Sequence, residues 1–188
     1  MPLRKPNTED VRKIHSEINQ IINQRFLVTT AAITIFGIMI ALMLPKSTPN
    51  PGDSVGGIMF ALAALLSLLL SSLYLLSHVL KQTLRIFTTY LAETETSNWE
   101  IDWSAFRHEG HFTYTKGHTI MFLFLNIVAV LSPFIFAGCF SLKVEPVSGA
   151  ILCVLIGATT TIIIYFMGFH HLFDSEPKAA DRWKKLNQ

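Results

Sequence analysis

Residues 150–169 read AILCVLIGATTTIIIYFMGF, twenty in a row without a charge. That is the length a helix needs to cross the hydrocarbon core of a bilayer. Stretches of the same kind run from Phe26 to Leu44, from Ile58 to Leu80 and from Thr119 to Phe140. The fold class they imply is an all-α integral membrane protein with four transmembrane helices. Composition agrees, since 51% of the 188 residues are hydrophobic and 15% charged, against roughly 25% charged in soluble domains. What remains outside the spans is too dispersed to build an enzyme domain with its own core. A net charge of +2 is too small to mark a basic nucleic-acid binder.

A secretory signal would set a short apolar core close to the N-terminus and follow it with small residues. Here the first apolar run begins at Phe26 and ends in Leu44-Pro45-Lys46, so it reads as a retained span. The basic residues set the orientation. Arg4, Lys5, Arg12, Lys13 and Arg25 precede the first span; Lys81, Arg85, Arg107 and Lys116 lie between the second and third; Lys178, Arg182, Lys184 and Lys185 follow the last. Lys46 and Lys143 fall on the other side. Both termini and the middle loop are therefore expected in the cytoplasm. The chain divides into a cytoplasmic amphipathic helix (1–25), a transmembrane hairpin (26–80), a cytoplasmic helical loop (81–118), a second hairpin (119–169) and a cytoplasmic tail (170–188). In this topology all seven histidines sit at or beyond the cytoplasmic ends of helices. Cys139 and Cys153 fall near the outer ends of the third and fourth spans, within reach across a short loop. Buried free thiols are common in apolar surroundings, so pairing stays open.

Asn7, Thr8, Glu9 and Asp10 form a helix-start signal, a cap followed by acids in the first turn. Val11, Ile14, Ile18, Ile21 and Ile22 then recur at three- and four-residue spacing, an apolar stripe that needs a partner. The second span has no stop at Leu80, and its helical period continues to about Glu93. After a polar break, Trp99 to His108 reads as a short amphipathic helix that Gly110 ends. Ser132-Pro133 is expected to kink the third span, its freed carbonyl being met by a side chain or a neighbouring helix.

The spans hold no Asp, Glu, Lys or Arg, the residues with which ion-coupled carriers build their relays. They hold small and hydroxyl residues instead: Ala63, Ser67 and Ser71 at four-residue spacing, Asn126, Ser132, Gly157 and the run Thr159-Thr160-Thr161. Two readings follow. Small residues let helix backbones approach and hydroxyls bond across helices. Alternatively, Asn126, Thr159, Thr160 and Thr161 line a narrow aqueous path, in a pore assembled from several subunits.

In the middle loop, Trp99, Trp103, Arg107 and His111 fall at successive four-residue steps and share one helical face. Aromatics interleaved with cations hold single-stranded nucleic acid, and the same pattern describes a helix lying on lipid headgroups. Other motifs fail on spacing. His108-Glu109-Gly110-His111 is one residue short of the metalloprotease motif. A zinc site from His108, His111 and His118 is interrupted by Gly110 and Gly117. An arginine–histidine ribonuclease pair starting at Arg107 finds His111 too early and His118 too late. No nucleophile has a base and an orienting partner beside it, so neither an enzyme nor a cofactor or metal is expected.

The segment Glu17-Ile18-Asn19-Gln20-Ile21-Ile22-Asn23-Gln24-Arg25-Phe26, the four spans, and the loop pattern Tyr90-Leu91-Ala92-Glu93-Thr94 with Trp99, Glu100, Trp103, Phe106 and Arg107 resemble the small four-span membrane subunits of bacterial anti-phage defence systems, of the Hailong effector or Kiwa membrane subunit type. The resemblance covers the architecture rather than a sharp motif. It implies a multi-pass protein of the bacterial inner membrane that assembles as a homo-oligomer, a tetramer first. Such a subunit opens an ion path and depolarises the cell, or senses the envelope for a cytoplasmic partner. In the Hailong type that partner is a nucleotidyltransferase whose oligonucleotide product holds the channel closed. Carried over, Trp99, Trp103, Arg107, His111 and Lys116 become ligand contacts. The expected function is thus a cytoplasmically gated channel-forming effector, with a non-conducting membrane anchor or sensor as the alternative.

Overall fold

The computed structural model describes residues 7–44, 53–93 and 114–169, with the side chains of residues 92, 93, 114 and 115 left aside. Its elements are α1 (Thr8–Met43), β1 (Ser54–Val55), α2 (Gly57–Glu93), α3 (Tyr114–Cys139), β2 (Lys143–Val144) and α4 (Val147–Phe169). All four helices are long and apolar enough to cross a membrane, and the chain is a multi-pass membrane protein. At 1.5 Å per residue, α1 and α2 are each about 55 Å long, well beyond the roughly 30 Å hydrocarbon core. Both extend at the end of the bundle where α1 begins and α2 ends, called the basic end below. The opposite end carries the strands.

The stretch expected as a separate amphipathic helix runs without a break into the first span, all of it α1. Its start is a capping box. The Asn7 side chain accepts from the Asp10 N–H at 2.8 Å, and the Asp10 carboxylate accepts from the Asn7 N–H at 3.2 Å. Reciprocal bonds of this kind satisfy donors that a helix start leaves open. Ile18 and Ile21 of the apolar stripe are buried, and α1 packs chiefly on α2. The extension of α2 to Glu93 follows the periodicity read from Lys81 onward.

α2 is the central helix, packed against α1, α3 and α4, while α1 only brushes α3. In the most apolar part of α1 11% of residues are buried, against 44% in α2 and α3, so α1 is the peripheral member. The core joins Phe60, Leu66, Leu70 and Tyr74 of α2 to Phe122 and Ala129 of α3 and to Cys153 and Ile164 of α4. Phe60 meets Phe134 with ring centroids 5.5 Å apart, and Tyr74 meets Phe122 at 5.4 Å. The seam of α4 is Ala150, Cys153, Gly157, Thr160, Ile164 and Gly168, a three-and-four spacing of mostly small residues. Such a seam lets backbones approach closely. A Cβ on Gly157 would stand 2.7 Å from Val130 Cγ1 and closer still to its other methyl.

Pro133 has no N–H to offer the carbonyl of Ala129 one turn earlier. The Ser132 hydroxyl takes over that task, donating to the Ala129 carbonyl at 2.8 Å, as the sequence reading required. α3 ends in a Schellman motif: the Leu142 N–H reaches the Ala137 carbonyl at 2.8 Å and the Ser141 N–H the Gly138 carbonyl at 3.4 Å. Ser141 occupies the left-handed position, φ 53, where glycine is usual. The two connections at the strand end are tied together. β1 and β2 pair in parallel, Ser54 opposite Lys143 and Val55 opposite Val144, and the Lys143 N–H donates to the Asp53 carbonyl at 3.0 Å. Cys139 is exposed, Cys153 is buried and both are free thiols.

Candidate functional site

Among the described residues, two polar clusters interrupt the apolar interior. The first lies near the middle of α2, α3 and α4. Asn126 of α3 is fully buried. Its Oδ1 accepts from the Ser67 hydroxyl of α2 at 2.7 Å. Its Nδ2 donates to Thr160 Oγ1 at 3.1 Å and to Thr161 Oγ1 at 2.9 Å on α4. Ser67 Oγ also lies 2.7 Å from Thr160 Oγ1. Thr160 has carbonyls of its own helix in reach, Ile156 and Gly157 at 3.0 Å each, and Thr161 donates to the Gly157 carbonyl at 2.7 Å.

Asn126 supplies two amide protons to the threonines, Ser67 one hydroxyl proton to Asn126, and Thr161 one to the Gly157 carbonyl. The Thr160 proton has three acceptors within reach: Ser67 Oγ and two carbonyls. Every member is therefore satisfied inside the chain, as burial in an apolar medium demands. Three of the four residues read from sequence as pore candidates, Asn126, Thr160 and Thr161, meet here. Thr159 does not; it is exposed on the outside of α4, with its hydroxyl returned to the Leu155 carbonyl at 2.9 Å. The partner the pore list lacked is Ser67, and the signal for it was its place in the small-residue row Ala63, Ser67 and Ser71.

The second cluster lies toward the basic end, where α1, α2 and α3 converge. The Nε2 of His118 on α3 is 3.1 Å from Thr29 Oγ1 on α1 and 3.3 Å from Ser77 Oγ on α2. Thr29 also donates to the Arg25 carbonyl at 2.9 Å. The His118 ring stacks on Tyr74 with centroids 6.1 Å apart and tilts against Phe122 at 4.9 Å. Tyr74 shares a 3.0 Å hydrogen bond with Thr119. Gly168 of α4 leaves room for that pair, since a Cβ there would stand 2.7 Å from Thr119 Oγ1 and 2.8 Å from the Tyr74 hydroxyl. One turn beyond Ser77, Lys81 is buried, and His78 holds Gln82 at 3.1 Å. Their convergence is a product of packing between three helices.

Of the residues expected to face a cytoplasmic ligand, Lys116 is half-buried in the first turns of α3. Trp99, Trp103, Arg107 and His111 lie outside the described residues, as do His108, His170 and His171. Among the described residues no group of three His, Cys, Asp or Glu is placed to hold a metal ion. No family model, curated protein or solved structure matches the chain.

Proposed function

We propose that the chain is the subunit of a homo-oligomeric channel-forming membrane effector, closed at rest and gated from the cytoplasm, that acts by dissipating the membrane potential. The observation that carries this reading is the uncharged polar cluster of Ser67, Asn126, Thr160 and Thr161 near mid-depth. An ion path needs polar groups at the depth where lipid offers none. Interhelical hydrogen bonds in a membrane are individually modest, so water can replace them when helices separate. With each member bonded to protein the cluster corresponds to a shut path. α2 runs unbroken from the basic end to Ser67 and provides a rigid element through which a displacement at that end reaches the cluster. Thr159, on the outer face of α4, is available to a neighbouring subunit.

The excess of Lys and Arg in the sequence segments flanking the spans on the side where α1 begins and α2 ends supports a cytoplasmic position for that side. We place the assembly, as a tetramer, in the bacterial inner membrane and in anti-phage defence. Its control would come from a cytoplasmic operon partner such as a nucleotidyltransferase or its oligonucleotide product, received by Trp99, Trp103, Arg107, His111 and Lys116. Replacing Trp99 and Trp103 with Ala would then abolish response to that partner.

A second reading, a non-conducting anchor or sensor that docks a cytoplasmic partner, draws on the same cluster. The amide of Asn126 is fully engaged within one chain, as a packing device would be. Planar-bilayer recordings of the purified full chain and of Thr160→Val, Thr161→Val and Asn126→Leu separate the two. A channel changes its conductance while the assembly stays intact. An anchor passes no current, and the substitutions alter assembly alone.

A further inference from the structure

The bonds at mid-depth run in a direction that fixes the sign of charge the cluster receives. The Thr161 proton goes to the Gly157 carbonyl at 2.7 Å. The Thr160 proton has the Ile156 and Gly157 carbonyls at 3.0 Å each and Ser67 Oγ at 2.7 Å. Each threonine therefore turns lone pairs toward Asn126, whose Nδ2 lies 3.1 Å from Thr160 Oγ1 and 2.9 Å from Thr161 Oγ1. What the two oxygens hold there is positive, the N–H groups of the amide. Asn126 Oδ1 and Ser67 Oγ, 2.7 Å apart, add two further oxygens beside them. An anion would have to draw the Thr161 proton off the carbonyl that its own helix supplies. No formal charge stands nearby: the spans hold no Asp, Glu, Lys or Arg, and Lys81 is 14 residues beyond Ser67 on α2, about 21 Å along the helix. With no carboxylate present, the cluster lacks the ligands on which divalent cations depend.

We propose that the path opened at this cluster is selective for monovalent alkali cations, the ion taking the place of the Asn126 amide protons against the hydroxyl oxygens of Thr160 and Thr161. Uncharged oxygens that replace part of a hydration shell are how a pore passes such ions without holding them. Closed, the amide of Asn126 fills the position; open, the side chain withdraws and the cation meets the same two oxygens. Selectivity presupposes that the assembly conducts, and so rests on the channel reading.

The test records the purified full chain in planar bilayers under a potassium chloride gradient and reads the reversal potential. It should lie on the potassium side, with potassium preferred over chloride by about fivefold or more. Calcium chloride in place of the potassium salt on one side should move the reversal potential against calcium. Thr161→Val keeps the shape of the side chain, removes one of the two oxygens and should lower the preference for potassium over chloride about threefold. Thr161→Ser, which restores the hydroxyl, should keep the wild-type value. Ser72→Ala, on the exposed face of α2 with its hydroxyl returned to the Leu68 carbonyl, should leave it unchanged. A reversal potential on the chloride side, a preference for calcium, or a Thr161→Val channel with the wild-type preference overturns the selectivity while leaving the channel standing. Absence of current from the purified chain, which lacks any restraining partner, overturns the channel reading and the selectivity with it. The wild-type reversal potential decides alone should Thr161→Val fail to assemble.

Discussion

Replacing Asn126 with Leu keeps a side chain branched at Cγ and removes three interhelical hydrogen bonds, one from Ser67 and two to the threonines. Such bonds are worth about 0.6 kcal/mol each in a membrane protein, so the expected cost is about 2 kcal/mol. The loss stays at that level because no group is orphaned. Thr161 keeps the Gly157 carbonyl at 2.7 Å, Thr160 keeps Ile156 and Gly157 at 3.0 Å, and Ser67 keeps Thr160 at 2.7 Å. A buried polar group left without any partner would cost a further 1–3 kcal/mol or so. The assay is reversible unfolding in mixed micelles by titration with denaturing detergent. A double-mutant cycle between Asn126→Leu and Ser67→Ala isolates the 2.7 Å bond and should return a coupling of about 0.6 kcal/mol. A coupling indistinguishable from zero, or an Asn126→Leu variant as stable as the wild type, would refute the description of the cluster as a bonded lock across α2, α3 and α4.

The glycines divide sharply by position. Gly157→Ala should destabilise the bundle by about 1–3 kcal/mol through overpacking against Val130, whereas Gly37→Ala meets nothing within 4 Å and should gain up to about 1 kcal/mol from helix propensity; thermal melts in one detergent compare the two. Ser141→Gly, which relieves a left-handed residue with φ 53, should raise stability by about 1 kcal/mol, read in the same melts. Ser132→Ala strips the Ala129 carbonyl of the hydroxyl that covers for Pro133. It should cost about 1 kcal/mol and speed amide exchange in the turn around Pro133, measured by hydrogen–deuterium exchange.

Local signals carried most of the helical description. The capping box at Asn7 and Asp10, the run of α2 past Leu80 to Glu93 and the Ser132-Pro133 compensation each depend on residues within one turn of each other, and composition and period report at that range. The union of the N-terminal stretch with the first span was less legible, because the change from a polar-flanked stripe to an all-apolar run looks like a boundary although helical geometry continues through it. Partners far apart in sequence were not legible. Ser67 finds Asn126 across 59 residues and His118 finds Thr29 across 89, distances over which a hydrophobic period says nothing. The parallel pairing of Ser54–Val55 with Lys143–Val144 was hidden too, as strands of two residues leave no alternation to read. Asn126 and the threonine run stood out because polar groups are rare in such spans, and that rarity identified three members of the cluster without showing that they meet.

The claim that the protein conducts is tested most directly by expressing the full chain without its genomic neighbours, from a tightly controlled promoter in bacterial cells, while following a potential-sensitive dye and growth. A channel whose restraint comes from a cytoplasmic partner should depolarise the membrane rapidly and arrest growth once that partner is missing. An unchanged potential in cells where the protein is shown to be inserted at full length would contradict a channel whose restraint is the missing partner.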